Sequence, residues 1–345
     1  MQPTDVSTRP TSAELCWQAI GHVAPPRLPW TLYLSDPIQA QLTTRWGPRA
    51  AWPCPPDDVV KIVWPLEFAD VSPKGFTDMF GCRWTGELGG YHFGAPLYPE
   101  LDAKLLRPVE LIRDWDVERI RRTRKEHPDK FIFYQLTITF GERLWTLYGM
   151  ENILVAYLAE PAFIHAALDR LLEMHLMALD RLLALPIDAV SIGDDYGAQR
   201  SLMISPEVFR EFYKPRLAVL YERIRAAGKV VMHHSCGDNT EIMRDFVDIG
   251  LQVFHPLQPE AMDIGRIKRE FGRDLAFRGG IGTQRAMVFG SPQAAREEVR
   301  NAVKILSADG GYLLEPSKPL PEDAPLENVI AVVEEMCRAM QYREN

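Results

Sequence analysis

The residues that could do chemistry stand at the ends of apolar runs. The run KVVMHHS (229–235) closes on His233 and His234, and Cys236 follows two positions after His234. Residues i and i+2 of a strand point to one face. A soft thiolate beside an imidazole suits zinc, although a buried cysteine and a hydrogen-bonded histidine would leave the same spacing. His255 ends the next run and offers a third nitrogen; Glu315, at the end of GYLLEP (311–316), offers oxygen. Asp194 and Asp195 follow DAVSIG (188–193), with Tyr196 beside them as a substrate contact. Adjacent strand residues point opposite ways, so one carboxylate faces a site and the other bonds backbone or caps a turn. The facing one would be a general base, a ligand or a clamp. Gln199 and Gln258 are neutral orienting groups, and Arg278 and Lys318 are candidate carboxylate binders.

These positions need a scaffold that brings strand ends together. After Leu101 β-like runs alternate with amphipathic helices: FIFYQLTI (131–138), DAVSIG, KVVMHHS, LQVFHPL (251–257), DLAFRGG (274–280) and GYLLEP. Between them lie helical segments at 161–185, 206–227, 239–249 and from Pro292 to about Leu306. Ser205 and Ser291 are N-cap candidates, and Gly250 is a C-cap candidate. Such alternation predicts parallel strands with helical crossovers. The runs LPWTLYL (28–34) and IVWPLEF (62–68) supply one or two more strands, making about eight. The fold class expected is α/β, a (β/α)8 TIM barrel with a proline-rich N-terminal extension, active at the C-terminal strand ends. The boundaries expected are an extension over 1–27 and a single barrel domain over 28–345. An irregular, meander-like insert at about 69–105 carries many glycines and aromatics. Trp46, Trp52, Trp64 and Trp84 fall in the N-terminal part, as core or as a cap over the barrel mouth.

The 345 residues carry 39 basic and 47 acidic side chains, a net charge of −8. That disfavours a nucleic-acid partner and an anionic membrane surface. No apolar run has the length of a membrane span, and no secretory signal is visible. Five cysteines without CxxC spacing argue against a disulfide framework. The expected compartment is the cytoplasm.

Several segments together resemble the uroporphyrinogen decarboxylase superfamily. They are DDYGAQRSLMISPEVFREFYKPRL (194–217), HSCGDN (234–239), HPLQPEAMDIGRIKREFG (255–272), FRGGIGTQ (277–284), FGSPQAAREEV (289–299), GGYLLEPS (310–317) and LENV (326–329). GERLWTLYGMENILVAYLAEPAFI (141–164) fits as well. The resemblance implies the barrel and divides the function. The parent decarboxylases carry an arginine-rich motif near the N-terminus that grips substrate carboxylates. The corresponding WTLYLSDPIQAQLTTRWG (30–47) lacks it, which counts against a porphyrinogen with many acids. The cobamide-linked methyltransferase branch binds zinc through His-x-Cys and a later Cys. His234 and Cys236 match the first two ligands, and Lys318 stands at the third. The zinc site is then incomplete, completed by His255, Glu315 or Asp194, or absent.

The expected function is metal-assisted methyl transfer to or from a corrinoid held on a separate partner protein, with a small substrate. Asp194 or Asp195 would act as base or ligand, and Gln199 and Gln258 would orient. The alternative is a metal-free decarboxylase gripping a carboxylate with Arg278 and Lys318. A non-catalytic barrel is the third possibility, disfavoured by the polar strand ends. The family resemblance also implies a homodimer.

Overall fold

The computed structural model describes residues 9–65, 69–72, 74–86 and 92–341. Seven strands form one sheet in the order β1 (Val59–Val63), β6 (Phe131–Leu136), β7 (Ala189–Gly193), β8 (Val230–His234), β9 (Val253–Leu257), β10 (Ala276–Ile281) and β11 (Tyr312–Pro316). The registered pairs β6–β7, β7–β8, β8–β9 and β10–β11 are parallel. All residues of β6, β7, β9, β10 and β11 are buried. Their near-continuous apolar character follows, because a parallel sheet is covered on both faces. A second, four-stranded antiparallel sheet runs β2 (Ala69–Ser72), β3 (Gly75–Thr77), β4 (Arg83–Thr85), β5 (His92–Phe93).

The chain gathers into two compact units. One comprises the chain up to Val60, His127–Ile132 and the chain from Ile264 on; the other comprises Lys61–Glu126 and Phe133–Asp263.

In the first unit, the helix Ser12–Ile20 opens with a capping box. Glu14 N donates to Thr11 Oγ1 at 3.2 Å and Thr11 N donates to Glu14 Oε2 at 2.7 Å. Ser291 caps the helix Pro292–Leu306 by accepting from Ala294 N. Gly280 (φ +86°) lets that helix approach β10, since a Cβ there would lie 2.4 Å from Leu306 Cδ1.

The LPWTLYL segment is not a regular strand. Leu314 N donates to Pro29 O, Thr31 N to Leu314 O, and Asp58 N to Trp30 O. Residues 29–31 thus bond to β11 on one side and to the residue before β1 on the other. Pro29 brings no donor of its own, which limits the ladder.

The buried Asp58 carboxylate organises this unit. It accepts from Arg27 at 2.6 and 2.7 Å, from Ser12 Oγ at 2.6 Å and from Trp30 N at 3.1 Å. Residues 1–8 of the expected extension lie outside the described residues. The rest of it packs here through Leu15, Cys16, Ala19 and Ile20.

The cysteine spacing spoke against a disulfide framework and gave no sign of the single bridge that Cys54 and Cys337 form across 283 residues. Spacing shows only local pairs, and this pair is made by the packing of the helix Leu326–Ala339 against the proline-rich segment.

In the second unit, β1 begins earlier than the IVWPLEF run suggests and ends before Pro65, while residues 66–68 lie outside the described residues. The glycine- and aromatic-rich segment is the β2–β5 meander, of which 73 and 87–91 are not described. Its Phe76 and Trp84 pack with Phe93 against Ile138. The helical segment from Pro206 contains a π turn, Phe209–Tyr213, before Lys214–Ala226. Pro215 has no N–H for the usual i−4 carbonyl, and the wider turn absorbs that loss. No helix among the described residues is long and apolar enough to cross a membrane.

Replacing Asp58 by alanine strands the Arg27 guanidinium, of which 10% is exposed. Urea unfolding of Asp58→Ala is expected to show a loss of about 3–5 kcal/mol.

Candidate functional site

The parallel register aligns three strand ends. Gly193 pairs with His234 across β7–β8, and His234 pairs with His255 across β8–β9. Beyond them the β7 and β8 loops meet backbone to backbone. A Cβ at Gly197 would lie 2.6 Å from Cys236 O, and one at Gly237 (φ +78°) would lie 2.3 Å from Gly197 O. Only glycine fits both places. Asp238 N donates to Ala198 O at 2.8 Å. Asn239 Nδ2 lies 3.0–3.1 Å from the carbonyls of Ser235, Cys236 and Gly237. Ser235 Oγ donates to Asn239 Oδ1 and accepts from Tyr196 N. The turn that carries Cys236 is therefore fixed from both sides.

The two adjacent aspartates have opposite fates, as strand alternation requires. Asp194 turns inward and is fully buried. It accepts from the backbone N–H of Phe140 (3.2 Å), Gly141 (2.7 Å) and Glu142 (3.0 Å), and from the Tyr196 hydroxyl (3.0 Å). It is the cap of the helix Gly141–Tyr148, supplied from a different strand. Burial lifts its carboxyl to about 6, against the lowering by those donors. Asp195 faces outward. Its Oδ1 accepts from Cys236 N at 2.7 Å and lies 3.8 Å from His234 Nε2. Cys236 Sγ lies 3.4 Å from the same Nε2.

Asp195, His234 and Cys236 form a group whose ligand atoms lie within 4.8 Å of one another. Zinc bonds of about 2.0–2.3 Å in tetrahedral array require donor separations of roughly 3.3–3.7 Å. The donor set suits such an ion; the Cys236–His234 separation of 3.4 Å falls in that range, and the Asp195–His234 separation of 3.8 Å lies just outside it. His255 does not join the group. Its Nδ1 lies 2.7 Å from His234 Nδ1, on the other side of that ring.

A cleft of about 590 Å³ opens beside the group. Val63, Trp64, Pro65 and Ile138 form its apolar wall; Arg119, Gln135, Thr137, Glu142, Asp195 and His234 form its polar one. Ile138 holds φ at +57°, a costly conformation for a β-branched residue. Glu142 Oε2 accepts from Asp195 N at 3.1 Å. Burial, then the Asp195 and Asp194 carboxylates, push the Glu142 carboxyl well above its ordinary range. Behind the site, burial and then His234 depress His233 to about 3, and the Tyr221 hydroxyl lies 2.8 Å from its Nδ1.

The sequence model described as uroporphyrinogen decarboxylase matches residues 144–338, more than half of the chain. The chain belongs to the uroporphyrinogen decarboxylase family. Among solved structures, a methyltransferase from Methanosarcina mazei is 19% identical, covers 94% of this chain and 98% of its own, and superposes with a TM-score of 0.70. That likeness shows the fold, an α/β architecture of the TIM-barrel type. A 3-keto-L-gulonate-6-phosphate decarboxylase from Vibrio cholerae is 9% identical over 66% of this chain and 81% of its own, with a TM-score of 0.30, from which nothing is argued. No curated protein matches the sequence.

In this family member the remaining candidates are distributed as follows. Gln258 is buried and its Oε1 accepts from Gly237 N at 3.3 Å, so it supports the Cys236 turn. Gln199 is exposed and donates to Glu260 O. Tyr196 is buried, with its ring stacked on His233 at 5.9 Å. In the first unit Arg278 and Glu315 form a buried ion pair at 2.6 Å, and Lys318 is exposed.

Sequence reading missed Glu142, Arg119, Ser235 and Asn239. Glu142 had a signal, the GER triplet that opens a helix just past the end of β6. Arg119 had none, because it lies on the outer helix Asp114–Glu126 that only tertiary packing brings to the cleft.

The two aspartates are separable by experiment. Asp194→Ala orphans three buried backbone N–H groups and is expected to cost about 3 kcal/mol or more in chemical denaturation. Asp195→Ala, at a half-exposed position, is expected to stay within roughly 1 kcal/mol of the parent.

Proposed function

We propose that the chain is a methyltransferase of the uroporphyrinogen decarboxylase family. In this reading Asp195, His234 and Cys236 hold a zinc ion, and the methyl group passes to or from a corrinoid on a separate protein. One observation carries it: an imidazole, a thiol and a carboxylate, from two neighbouring strand ends, converge within 4.8 Å of one another on the edge of the cleft.

The chain's own residues divide the remaining work. Asp195 accepts the Cys236 N–H, which pins the turn that aims Sγ at the His234 nitrogen. Three protein donors leave a fourth position for substrate. When bound there, zinc supplies Lewis-acid polarisation of a substrate sulfur or oxygen atom. Burial and the neighbouring Asp195 and Asp194 carboxylates raise the Glu142 carboxyl well above its ordinary range, so it takes up a proton more readily than a free glutamate in the cleft. Arg119 is the single cation lining the cleft among the described residues, and its Nη1 donates to Val63 O at 3.2 Å. Trp64, Pro65 and Ile138 exclude water from that wall. Asp194, Gln258 and Tyr196 act through the scaffold, holding the helix cap and the Cys236 loop.

The metal-free decarboxylase reading has less support. Its proposed carboxylate clamp, Arg278, already has its charge matched by Glu315. A cytoplasmic homodimer is part of the proposal and rests on the family alone.

Elemental analysis of untagged protein purified without chelator tests the reading. About one zinc per chain is expected, falling to background in Cys236→Ala with the fold intact by circular dichroism. A metal-free parent protein would overturn it.

A further inference from the structure

His255 and His234 are neighbours in the β8–β9 register, and the backbone locks them side by side, with Ser235 N donating to His255 O at 2.8 Å. Their rings lie 4.9 Å apart at 39°. The contact is between the two Nδ1 atoms, at 2.7 Å. Two nitrogens so close must share a proton, one donating and the other accepting. His234 Nε2 is the atom turned toward Cys236 Sγ and Asp195 Oδ1. A neutral imidazole carries one proton, so a lone pair on Nε2 places the proton on Nδ1. Nδ1 then donates, and His255 Nδ1 accepts.

We propose that His255 is a positioning residue for His234: by accepting the His234 Nδ1 proton it fixes the ring's angle and tautomer and presents the Nε2 lone pair to the Asp195–Cys236 side. The inference rests on the zinc reading above and assigns His255 a place outside the ligand set. An acceptor behind a ligating histidine makes the ring more basic and holds it in place, and losing one commonly costs 10–100-fold in metal affinity.

Three variants separate the roles. Asparagine can set its side-chain oxygen near the place of Nδ1 and keeps an acceptor. Phenylalanine keeps the ring volume without one, and leucine repeats that comparison should the phenylalanine variant fail to fold. Zinc affinity is read by competition with a chromophoric chelator, and the ligand set by the visible spectrum of the cobalt(II)-substituted protein. Expected are a 10–100-fold weaker affinity in His255→Phe, an affinity within about threefold of the parent in His255→Asn, and an unchanged cobalt spectrum in His255→Asn. Equal affinity in all three proteins would overturn the proposal. So would an equal loss in both variants with an altered cobalt spectrum, which would make His255 a ligand. A parent protein that binds no zinc is a separate result, read before any variant is made, and would overturn the functional reading and this inference together.

Discussion

The site depends first on the Asp194 carboxylate, buried at the end of β7 and shared among three backbone N–H groups and a tyrosine hydroxyl. The helix Gly141–Tyr148 has no cap of its own, because Phe140 offers no side-chain acceptor. Its first N–H groups would otherwise be orphaned in the interior. Satisfying them from β7 ties the segment after β6 to the β7 loop. That places Glu142 against Asp195, and Asp195 against Cys236. A single buried anion thereby sets the mutual positions of groups from three strand ends.

The electrostatics follow from crowding. Asp194, Asp195 and Glu142 lie close together, two of them deeply buried. Three negative charges there would repel with little solvent to screen them. Asp194 has backbone donors to stabilise its anion, and Asp195 is partly solvated. Glu142 has the least help, and its carboxyl is raised well above its ordinary range. The cleft thus sets two carboxyl groups, Asp195 and Glu142, beside the imidazole, with one cation, Arg119, among its lining residues.

Much of this was legible in the chain. All six runs read as strands from 131 onward are strands, displaced at their ends by one or two residues. Strand period placed Asp194 and Asp195 on opposite faces, and one does cap while the other faces the cleft. Where reading from sequence fell short, the cause was distance along the chain. The Cys54–Cys337 disulfide, the Arg278–Glu315 pair and the approach of Arg119 each join residues far apart in sequence.

Sequence by itself determined the element types and the family, because hydrophobic period and capping residues are local and the family's motifs are contiguous. It also determined that His234 and Cys236 share a face, through the two-residue strand repeat. Tertiary structure alone decided which carboxylate completes that group. It set Asp195 rather than Glu315 or Asp194 beside the imidazole, and it put His255 behind that ring rather than in front. Those choices are made by inter-strand register and by loops packed glycine to glycine, where shifts of an ångström or two decide whether a side chain joins the group, supports it or stays apart.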